Sequence, residues 1–463
     1  MSTTDASSAL KVHRGSRRSR SARSRDKRFK YVSLFSGAMG LDIGLHITRE
    51  FELLAAVELD SNFCATIVAN RDLGRVIDSS ALVYEGSIED LEPEALMQDL
   101  DLAPGELDLL VGGPPCQAFS TSGRRGSLQD PRGTLLWQFL KFVEVLQPRY
   151  FLMENVRGLM SASIVHRPIA ERPERGGPPL RPEEEPGSVV DAFMADLSGA
   201  YRMDIFEVNA VNYGAPQIRE RVLFIGNREG KVVDFPMPTH GIATATPTLF
   251  ESETLKPYVT LREALDGLQE DEPVILDFSP RKKSYLELIP PGSNWRALPP
   301  EVAEESMGRA YLAKGGRSGW WRRLTFDLPS PTIVTMPNHA STALCHPTET
   351  RALTLRECAR VQEFPDDWVF IGSPSAQYAQ VGNAVPVRLG RVAGELLAEM
   401  LRQPTERVSV SIPRVRQVYL QSHVRTRKWF KNGQAIQWND GGENDHADYG
   451  AAKTLRKEHQ RAV

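Results

Sequence analysis

Short apolar segments recur along the first half of the chain, and stretches with helical spacing separate them. Six segments have the composition of strands, namely residues 31–35, 51–57, 107–111, 150–153, 202–208 and 221–225. Strands that alternate with helices pair in parallel, and the helices cover both faces of the resulting sheet. The sequence therefore predicts an α/β fold built on a doubly wound sheet.

The alternation of strands and helices stops after residue 236, where a long irregular stretch with Pro-Pro and Gly-Gly pairs begins. Helical periodicity returns at about residue 354. Proline and glycine interrupt regular structure, so such a stretch marks a change of domain. We therefore expect a main domain over residues 30–236 and 351–404, interrupted by a smaller irregular domain over residues 237–350.

Three further segments are poor in apolar residues. Residues 1–29 are rich in Ser and Arg, residues 167–187 are rich in Pro, Glu and Arg, and residues 405–463 are polar. Segments of low hydrophobicity cannot bury enough surface to fold alone. We expect a disordered basic tail at the N-terminus, a surface insertion within the main domain and a polar C-terminal tail.

Composition narrows the class of protein without naming a function. The chain has 463 residues, of which 41% are hydrophobic, and this is enough for a large core. It has no apolar run of 18 residues and no apolar secretory segment, so we expect a cytoplasmic protein without a membrane span. The four cysteines form no Cys-x-x-Cys pair, which argues against a zinc site or a disulfide framework. The net charge of −3 does not indicate nucleic acid, although basic residues cluster locally.

One cysteine directly follows a predicted strand. Residues 107–111 lead into Gly112-Gly113-Pro114-Pro115-Cys116, where glycines and prolines end the strand and fix a turn. The carboxyl ends of strands are where α/β enzymes bind ligands. A lone cysteine is most often a small buried hydrophobe, but this turn offers no helix or strand face to fill. The pattern therefore predicts a reactive thiol at Cys116.

Two carboxylates also follow predicted strands. Glu58 ends the strand after the loop of Gly37 and Gly40, at about the spacing at which an acidic residue contacts a ribose. Glu154 follows the strand at 150–153. The carboxyl ends of parallel strands lie at the same edge of the sheet and border one crevice. We therefore expect Cys116 and Glu154 to face one substrate. Both glutamates could instead be solvated helix caps, and the glycine pattern is weak by itself.

Basic residues lead into the last predicted strand. Gln217, Arg219 and Arg221 alternate along the chain, so we expect them on one face of that strand. The two arginines could there meet a phosphate, a carboxylate or the polar edge of a base. They could also be exposed charges at a sheet edge.

In their order along the chain, these segments resemble the motifs of DNA cytosine-5 methyltransferases of the bacterial restriction-modification type. The resemblance covers roughly residues 30–400 apart from a variable region at about 240–345. It implies a Rossmann-like methyltransferase sheet with a smaller, irregular target-recognition domain. The segments that carry it are residues 35–40, 58–60, 112–120, 153–156, 217–221, 355–365 and 380–386.

The resemblance implies S-adenosyl-L-methionine as cofactor, double-stranded DNA as substrate and no metal. It implies catalytic roles for Cys116, Glu154, Arg219 and Arg221. It also implies a monomer whose functional partner is a cognate restriction endonuclease. The residues that would contact the cofactor are Phe35, Gly37, Gly40, Glu58, Leu59, Ser87, Ile88, Pro115, Leu135, Asn383 and Ala384.

Two positions depart from the pattern of the family. The family often has an aspartate, which reaches the adenine amino group, where this chain has Ser87. Ser87 could accept the same hydrogen bond more weakly, or Glu89 or Asp90 could take its place. Met39 stands where the family usually has glycine, which would loosen cofactor binding.

The mechanism that the resemblance implies begins with a cytosine flipped out of the duplex, whose carbon 6 the Cys116 thiolate attacks. Glu154 donates a proton to ring nitrogen 3, and Arg221 lies near the carbonyl oxygen of the base. Arg219 supports the pocket. Carbon 5 then takes the methyl group.

Basic and aromatic residues occur together in the variable region, which predicts DNA contacts there, mostly to phosphates. Trp295 and Trp321 could instead be core residues of the smaller domain. The residues concerned are Arg281, Lys282, Lys283, Trp295, Arg296, Lys314, Arg317, Trp320, Trp321, Arg322 and Arg323.

Two other functions fit part of the pattern. A tRNA-methylating relative would share the catalytic motifs, but such relatives carry a Cys-Phe-Thr sequence that this chain lacks. A catalytically inactive DNA-binding regulator would keep the fold. The presence of Cys116, Glu154, Arg219 and Arg221 together argues against it.

Overall fold

The computed structural model describes residues 10–15, 28–75, 77–115, 134–197, 200–241, 255–313, 317–404, 415–419, 430–431 and 434–435. Its strands are β1 Lys11–His13, β2 Phe29–Leu34, β3 Phe51–Glu58, β4 Leu82–Glu85, β5 Leu109–Gly112, β6 Tyr150–Asn155, β7 Arg202–Asn209, β8 Glu220–Asn227, β9 His240–Gly241, β10 Lys256–Pro257, β11 Val415–Tyr419, β12 Phe430–Lys431 and β13 Gln434–Ala435.

The helices are α1 Gly40–Ile47, α2 Ser61–Asp72, α3 Pro93–Leu100, α4 Leu135–Leu146, α5 Ser188–Asp196, α6 Leu261–Leu265, α7 Pro280–Leu286, α8 Pro300–Met307, α9 Leu355–Val361, α10 Pro374–Asn383 and α11 Val387–Arg402. Within the ranges given above, none of them is long and apolar enough to cross a membrane.

One large sheet organises the main domain. Its strand order among the described residues is β1-β4-β3-β2-β5-β6-β8-β7-β11. Strands β2 to β6 run parallel, whereas β8 lies antiparallel to both β6 and β7, and β1 lies antiparallel to β4. The predicted α/β fold with a doubly wound, mostly parallel sheet is therefore confirmed.

The strand order reverses between β2 and β5. The chain leaves β2 towards β3 on one side and later returns to β5 on the other. A crevice opens at such a point beyond the carboxyl ends of the strands, and open α/β sheets bind their ligands there. The loops that begin at Phe35 and Gly113 both start at this crevice.

Successive residues of the central strands pack on opposite faces of the sheet. On β2, Tyr31 joins the core that includes α1, α10 and α11, whereas Val32 and Leu34 join the core that includes α4 and α5. A strand that is buried on both faces reads as a continuous apolar segment. This is why the six predicted strands are all present, with ends that differ by a few residues.

Helices α1 and α11 approach each other closely because glycines lie at their contact. A Cβ on Gly44 would come within 2.4 Å of the Val387 carbonyl oxygen, and one on Gly390 within 2.3 Å of the Leu41 carbonyl oxygen. Such distances are far shorter than van der Waals contact. The end of the main domain therefore packs directly on the first helix of the chain.

The N-terminal segment corrects one prediction. Residues 1–29 were expected to be disordered, but β1 within that range pairs with β4 at the edge of the sheet. Glu85 accepts hydrogen bonds from His13 at 2.7 Å and Lys11 at 3.4 Å. Three residues carry too little periodicity to predict a strand, and their pairing partner lies about 70 positions away.

The smaller domain has a core of its own. Leu286, Met307, Trp321 and Cys345 belong to a cluster of buried residues separate from the two cores of the sheet. Trp321 is 2% exposed and its indole N–H donates to Ser306 Oγ at 3.0 Å, so this tryptophan is a core residue. The boundaries of this domain, placed at 237 and 350, stay a prediction.

Helix α1 contains a buried carboxyl group. Asp42 is 3% exposed, and burial raises its pKa to about 6, an effect that hydrogen bonds from Ser33 and Tyr31 oppose. Because the folded-state pKa lies above the ordinary value of 3.8, the folded protein binds this proton more tightly than the unfolded chain does. The resulting stabilisation is complete below about pH 4 and is lost as the pH rises through about 6.

We expect Asp42→Asn to remove this pH dependence. The difference between the unfolding free energies of the variant and the wild type should shift in favour of the variant by on the order of 3 kcal/mol from about pH 4 to pH 7. Each pKa unit corresponds to about 1.4 kcal/mol. Urea unfolding of both proteins at several pH values measures this difference. A difference that does not change with pH would contradict the assignment.

Candidate functional site

The loop after β2 is closed by the carboxylate of Glu58. The Gly37 N–H donates to Glu58 Oε2 at 2.8 Å, and the N–H groups of Leu59 and Asp60 donate to Oε1 at 2.9 and 3.0 Å. Burial raises the pKa of Glu58, and these three hydrogen bonds oppose the shift. A carboxylate has about four acceptor positions, so Glu58 can accept a further hydrogen bond.

The same loop bends through left-handed backbone conformations. Phe35, Gly37 and Met39 have φ angles of 53°, 55° and 69°. Glycine adopts such angles freely, whereas other residues pay roughly 1–2 kcal/mol. The positive φ angle at position 39 thus explains why the family usually has glycine there. Met39 is 1% exposed, and the burial of its side chain offsets the strain.

The segment that follows α10 packs against this loop. A Cβ on Gly40 would lie 2.1 Å from the Val385 carbonyl oxygen and 3.2 Å from Ala384 Cβ. Ala384 is buried and Asn383 is exposed. The structure therefore brings Gly40 and Ala384, two predicted cofactor residues from opposite ends of the main domain, into contact.

Leu59 and Ser87 follow the neighbouring strands β3 and β4, which are paired to their last residues. Leu59 is 67% exposed, which leaves an apolar surface open beside Glu58. Ser87 Oγ accepts the N–H of Glu89 at 3.2 Å and so caps a short helical turn, while Ile88 is buried. Glu89 and Asp90 are exposed on that turn.

Glu154 and Arg221 form an ion pair at the carboxyl end of β6. The contact joins Glu154 Oε1 to Arg221 Nε, and each side chain is only 11% exposed. A Cβ on Gly113 would lie 3.2 Å from Glu154 Oε2, so the loop after β5 passes directly beside the carboxylate. Asn155 Nδ2 donates to the Pro114 carbonyl at 3.0 Å and ties that loop to β6.

Cys116 lies outside the described residues. The described chain reaches Pro115, which is exposed, and resumes at Thr134. Leu135 begins α4 and is half-buried against the core of that face. The Glu154 carboxylate therefore lies beside Gly113, which is three residues before the predicted nucleophile Cys116.

Arg219 does not share the surroundings of Arg221. It is 3% exposed, and its guanidinium donates to the carbonyls of Ile333 at 2.8 Å and Gly382 at 2.9 Å. Burial, and then the charge of Arg221, lower the pKa of Arg219 well below its ordinary value. The alternative of an exposed edge charge is wrong for this residue. Arg219 instead joins Ile333, which packs in a core of the sheet, to the last turn of α10.

Gln217 and Gln362 make a second connection of this kind, and both are 0% exposed. Gln217 Nε2 donates to Gln362 Oε1 at 2.6 Å, and Gln362 Nε2 donates to the carbonyls of Val381 at 2.6 Å and Ala384 at 3.1 Å. We call Gln217, Arg219 and Gln362 the buried polar bridge. Sequence reasoning assigned no role to Gln362, although a glutamine next to an apolar helical face signals a buried amide that needs partners.

The expected common face of Gln217, Arg219 and Arg221 is therefore only partly present. Strand β8 begins at Glu220. Gln217 and Arg219 therefore lie before the strand and do not follow its alternation. The side chains of Gln217 and Arg219 point into the protein, where each donates to a backbone carbonyl. Of the three, Arg221 alone pairs with Glu154.

The strand order and the crevice define an α/β protein with a Rossmann-like fold, and sequence comparison identifies its family. The chain matches the family model described as C-5 cytosine-specific DNA methylase over residues 29–167 and 187–399. The chain belongs to this family, and its predicted DNA cytosine-5-methyltransferase class is confirmed. The interval between the two matched ranges falls within the predicted insertion at 167–187.

Individual relatives extend over most of the chain. A Type II methyltransferase M.Sau96I of Staphylococcus aureus is 32% identical over 82% of this chain and 78% of its own length. A Type II methyltransferase M.PspPI of Psychrobacter sp. is 35% identical over 81% and 80%. Among solved structures, a putative DNA modification methyltransferase of an Escherichia coli prophage has a TM-score of 0.50 at 24% identity, covering 81% of this chain and 100% of its own. This last likeness concerns the fold alone.

The contact at Gly40 predicts a large effect of a single methyl group. Gly40→Ala places that methyl against a backbone oxygen, so we expect a loss of unfolding free energy of roughly 2–3 kcal/mol. Gly37→Ala is the matched control, because no atom lies within 4 Å of its Cβ position and only the positive φ costs energy, about 1 kcal/mol. Urea unfolding of both variants tests the order. An equal or smaller loss for Gly40→Ala would contradict the close approach.

Proposed function

We propose that this protein transfers a methyl group from S-adenosyl-L-methionine to carbon 5 of a cytosine within a specific double-stranded DNA sequence. The observation that carries the proposal is the Glu154–Arg221 pair, which lies against Gly113 shortly before Cys116. A thiol, a carboxyl group and a guanidinium at one edge of a sheet are the groups that can activate a pyrimidine ring.

The residues at the crevice fit a nucleoside-containing cofactor, which would supply an electrophilic methyl group when bound. Glu58 keeps acceptor capacity for ribose hydroxyls, and Leu59 offers exposed apolar surface to a base. The open space at Gly37 lets the loop backbone approach a ligand. Ser87 would contact the adenine, and the buried Ile88 follows it.

Cys116 acts as the nucleophile in this proposal. Its thiolate forms a bond to carbon 6 of the cytosine, which breaks the 5,6 double bond and makes carbon 5 nucleophilic. Carbon 5 would then take the methyl group as the bond between that group and the sulfonium sulfur of the cofactor breaks. Loss of the carbon 5 proton to a base restores the double bond as the carbon–sulfur bond breaks, and the thiolate is regenerated.

Glu154 and Arg221 stabilise the charge that this attack creates. Negative charge develops on ring nitrogen 3 and the carbonyl oxygen, and Glu154 would share a proton with the nitrogen. Arg221 holds the Glu154 carboxylate by the ion pair and would orient the base through its oxygen. Arg219 has a positioning role, because its buried contacts hold the segment that leads into β8.

The DNA must open for this chemistry, because a stacked base cannot enter the crevice. Flipping one base costs a few kcal/mol, which protein contacts to the opened duplex offset. We further propose that the protein works as a monomer at the nucleoid and protects host DNA from a cognate restriction endonuclease. The similarity to Type II methyltransferases supports the role in host protection.

The experiment that tests the function incubates the protein with S-adenosyl-L-methionine and plasmid DNA and then maps 5-methylcytosine by bisulfite sequencing. We expect methylation at one short sequence. Cys116→Ser should abolish it while DNA binding in a gel-shift assay persists. Turnover within about tenfold of wild type, which corresponds to ~1.4 kcal/mol, would exclude the covalent step.

We expect Glu154→Gln to lower the single-turnover rate by about 10²–10⁴, as a glutamine cannot share a proton with the base. The affinity for DNA should change far less. Glu395→Gln is a matched control, because Glu395 forms an exposed ion pair with Arg391 at 2.8 Å on α11. An unchanged rate for Glu154→Gln would refute its role, and a comparable loss in Glu395→Gln would show a general charge effect.

A further inference from the structure

The basic residues of the smaller domain fall into groups that differ in the partners of their charged atoms. Lys283 pairs with Asp277, and Arg281 lies 3.8 Å from Glu305. Lys282 donates to the Asn338 carbonyl at 2.9 Å. Each of these side chains already has an acceptor within the protein, so none needs DNA to satisfy it.

Two further arginines are buried. Arg322 and Arg323 are each 8% exposed, and Arg323 donates to the carbonyls of Leu286, Ile289 and Pro347. A guanidinium that is surrounded by backbone carbonyls stabilises the domain and does not reach a duplex. The expectation of DNA contacts is therefore not supported for this pair.

Arg296 and Arg317 differ from both groups. Their guanidinium carbons lie 4.7 and 5.0 Å from the centre of the same Trp295 ring. Neither forms an ion pair with a carboxylate among the residues that the structure describes. Arg317 donates to the Tyr311 carbonyl, and the Tyr311 ring packs edge-on against Trp295. The aromatic rings thus hold two like charges near each other.

Such an arrangement is unfavourable without an anion. Burial lowers the pKa of Arg296, and repulsion by the nearby charge of Arg317 lowers it further. Attraction to the Trp295 ring offsets part of this repulsion, at about 0.5–1 kcal/mol for each cation. A stacked guanidinium presents its edge N–H groups outward. Those that do not donate to the Tyr311 carbonyl can bind the oxygens of a phosphate.

We propose that Arg296 and Arg317, stacked on Trp295, form a binding site for a backbone phosphate of the DNA substrate. The site rests on the proposed function, since it places the duplex against the smaller domain. Repulsion between two positive charges favours an anion over a neutral base edge as the ligand. The Trp295 ring fixes both side chains before DNA arrives, which lowers the entropy cost of binding.

The test measures the affinity of the full chain for a plasmid-derived duplex that contains the methylated site, by fluorescence anisotropy across a range of KCl concentrations. Loss of one phosphate contact lowers the slope of log affinity against log salt by about one. We expect this change in Arg296→Gln and in Arg317→Gln, together with several-fold weaker binding at low salt. The methylated sequence should stay the same.

Two sets of variants control for structural effects. Arg296→Lys and Arg317→Lys keep the charge and should restore most of the salt slope. Arg262→Gln is the matched control, because Arg262 also stacks on an aromatic ring, at 5.1 Å from the Phe326 centre, but pairs with Asp327 at 2.8 Å. Its slope should equal that of the wild type.

Three results would overturn the site. An unchanged slope with relaxed sequence choice would mean that the arginines read a base, and an unchanged slope with unchanged methylation would mean no DNA contact. A slope that the lysine variants fail to restore would mean a structural role. A wild-type protein that forms no 5-methylcytosine would instead contradict the proposed function, so the two failures are distinguishable.

Discussion

The close packing of α1 against the segment from Val385 to Arg391 is the constraint on which the site depends. Gly40, Gly44 and Gly390 let the two backbones come nearer than any side chain would permit. This contact sets the first turn of α1, and with it the loop that Glu58 closes from the other side. The shape of the crevice follows from both contacts, because close backbone packing holds one side of the loop and the Glu58 carboxylate holds the other.

The buried polar bridge extends this constraint to the catalytic edge. Gln217 and Arg219 precede β8, which carries Arg221, and their partners are the Gln362 amide and the carbonyls of Ile333 and Gly382. An unsatisfied buried amide or guanidinium costs free energy, so these segments must assemble together. Arg221, which pairs with Glu154, therefore begins a strand that contacts with Ile333 and α10 hold in place.

The sequence predicted the central sheet because strands buried on both faces carry an apolar signal that does not depend on context. It placed Glu58 and Glu154 at strand ends for the same reason. It missed β4, which has four residues, and β1, which exists only through a distant partner. It also could not tell that Arg219 binds backbone carbonyls while Arg221 pairs with Glu154, since the partners of a buried charge depend on which groups the fold brings near it.

The contact between Gly44 and Arg391 also sets an order of events during synthesis. Ribosomes add about 5–20 residues per second, so roughly 17–70 s separate the emergence of these two positions. The central strands can pair in that interval, whereas the first glycine loop lacks its packing partner until the last helix has been made. A chain that stops short of α11 would thus hold a nearly complete sheet and an unfinished nucleotide crevice.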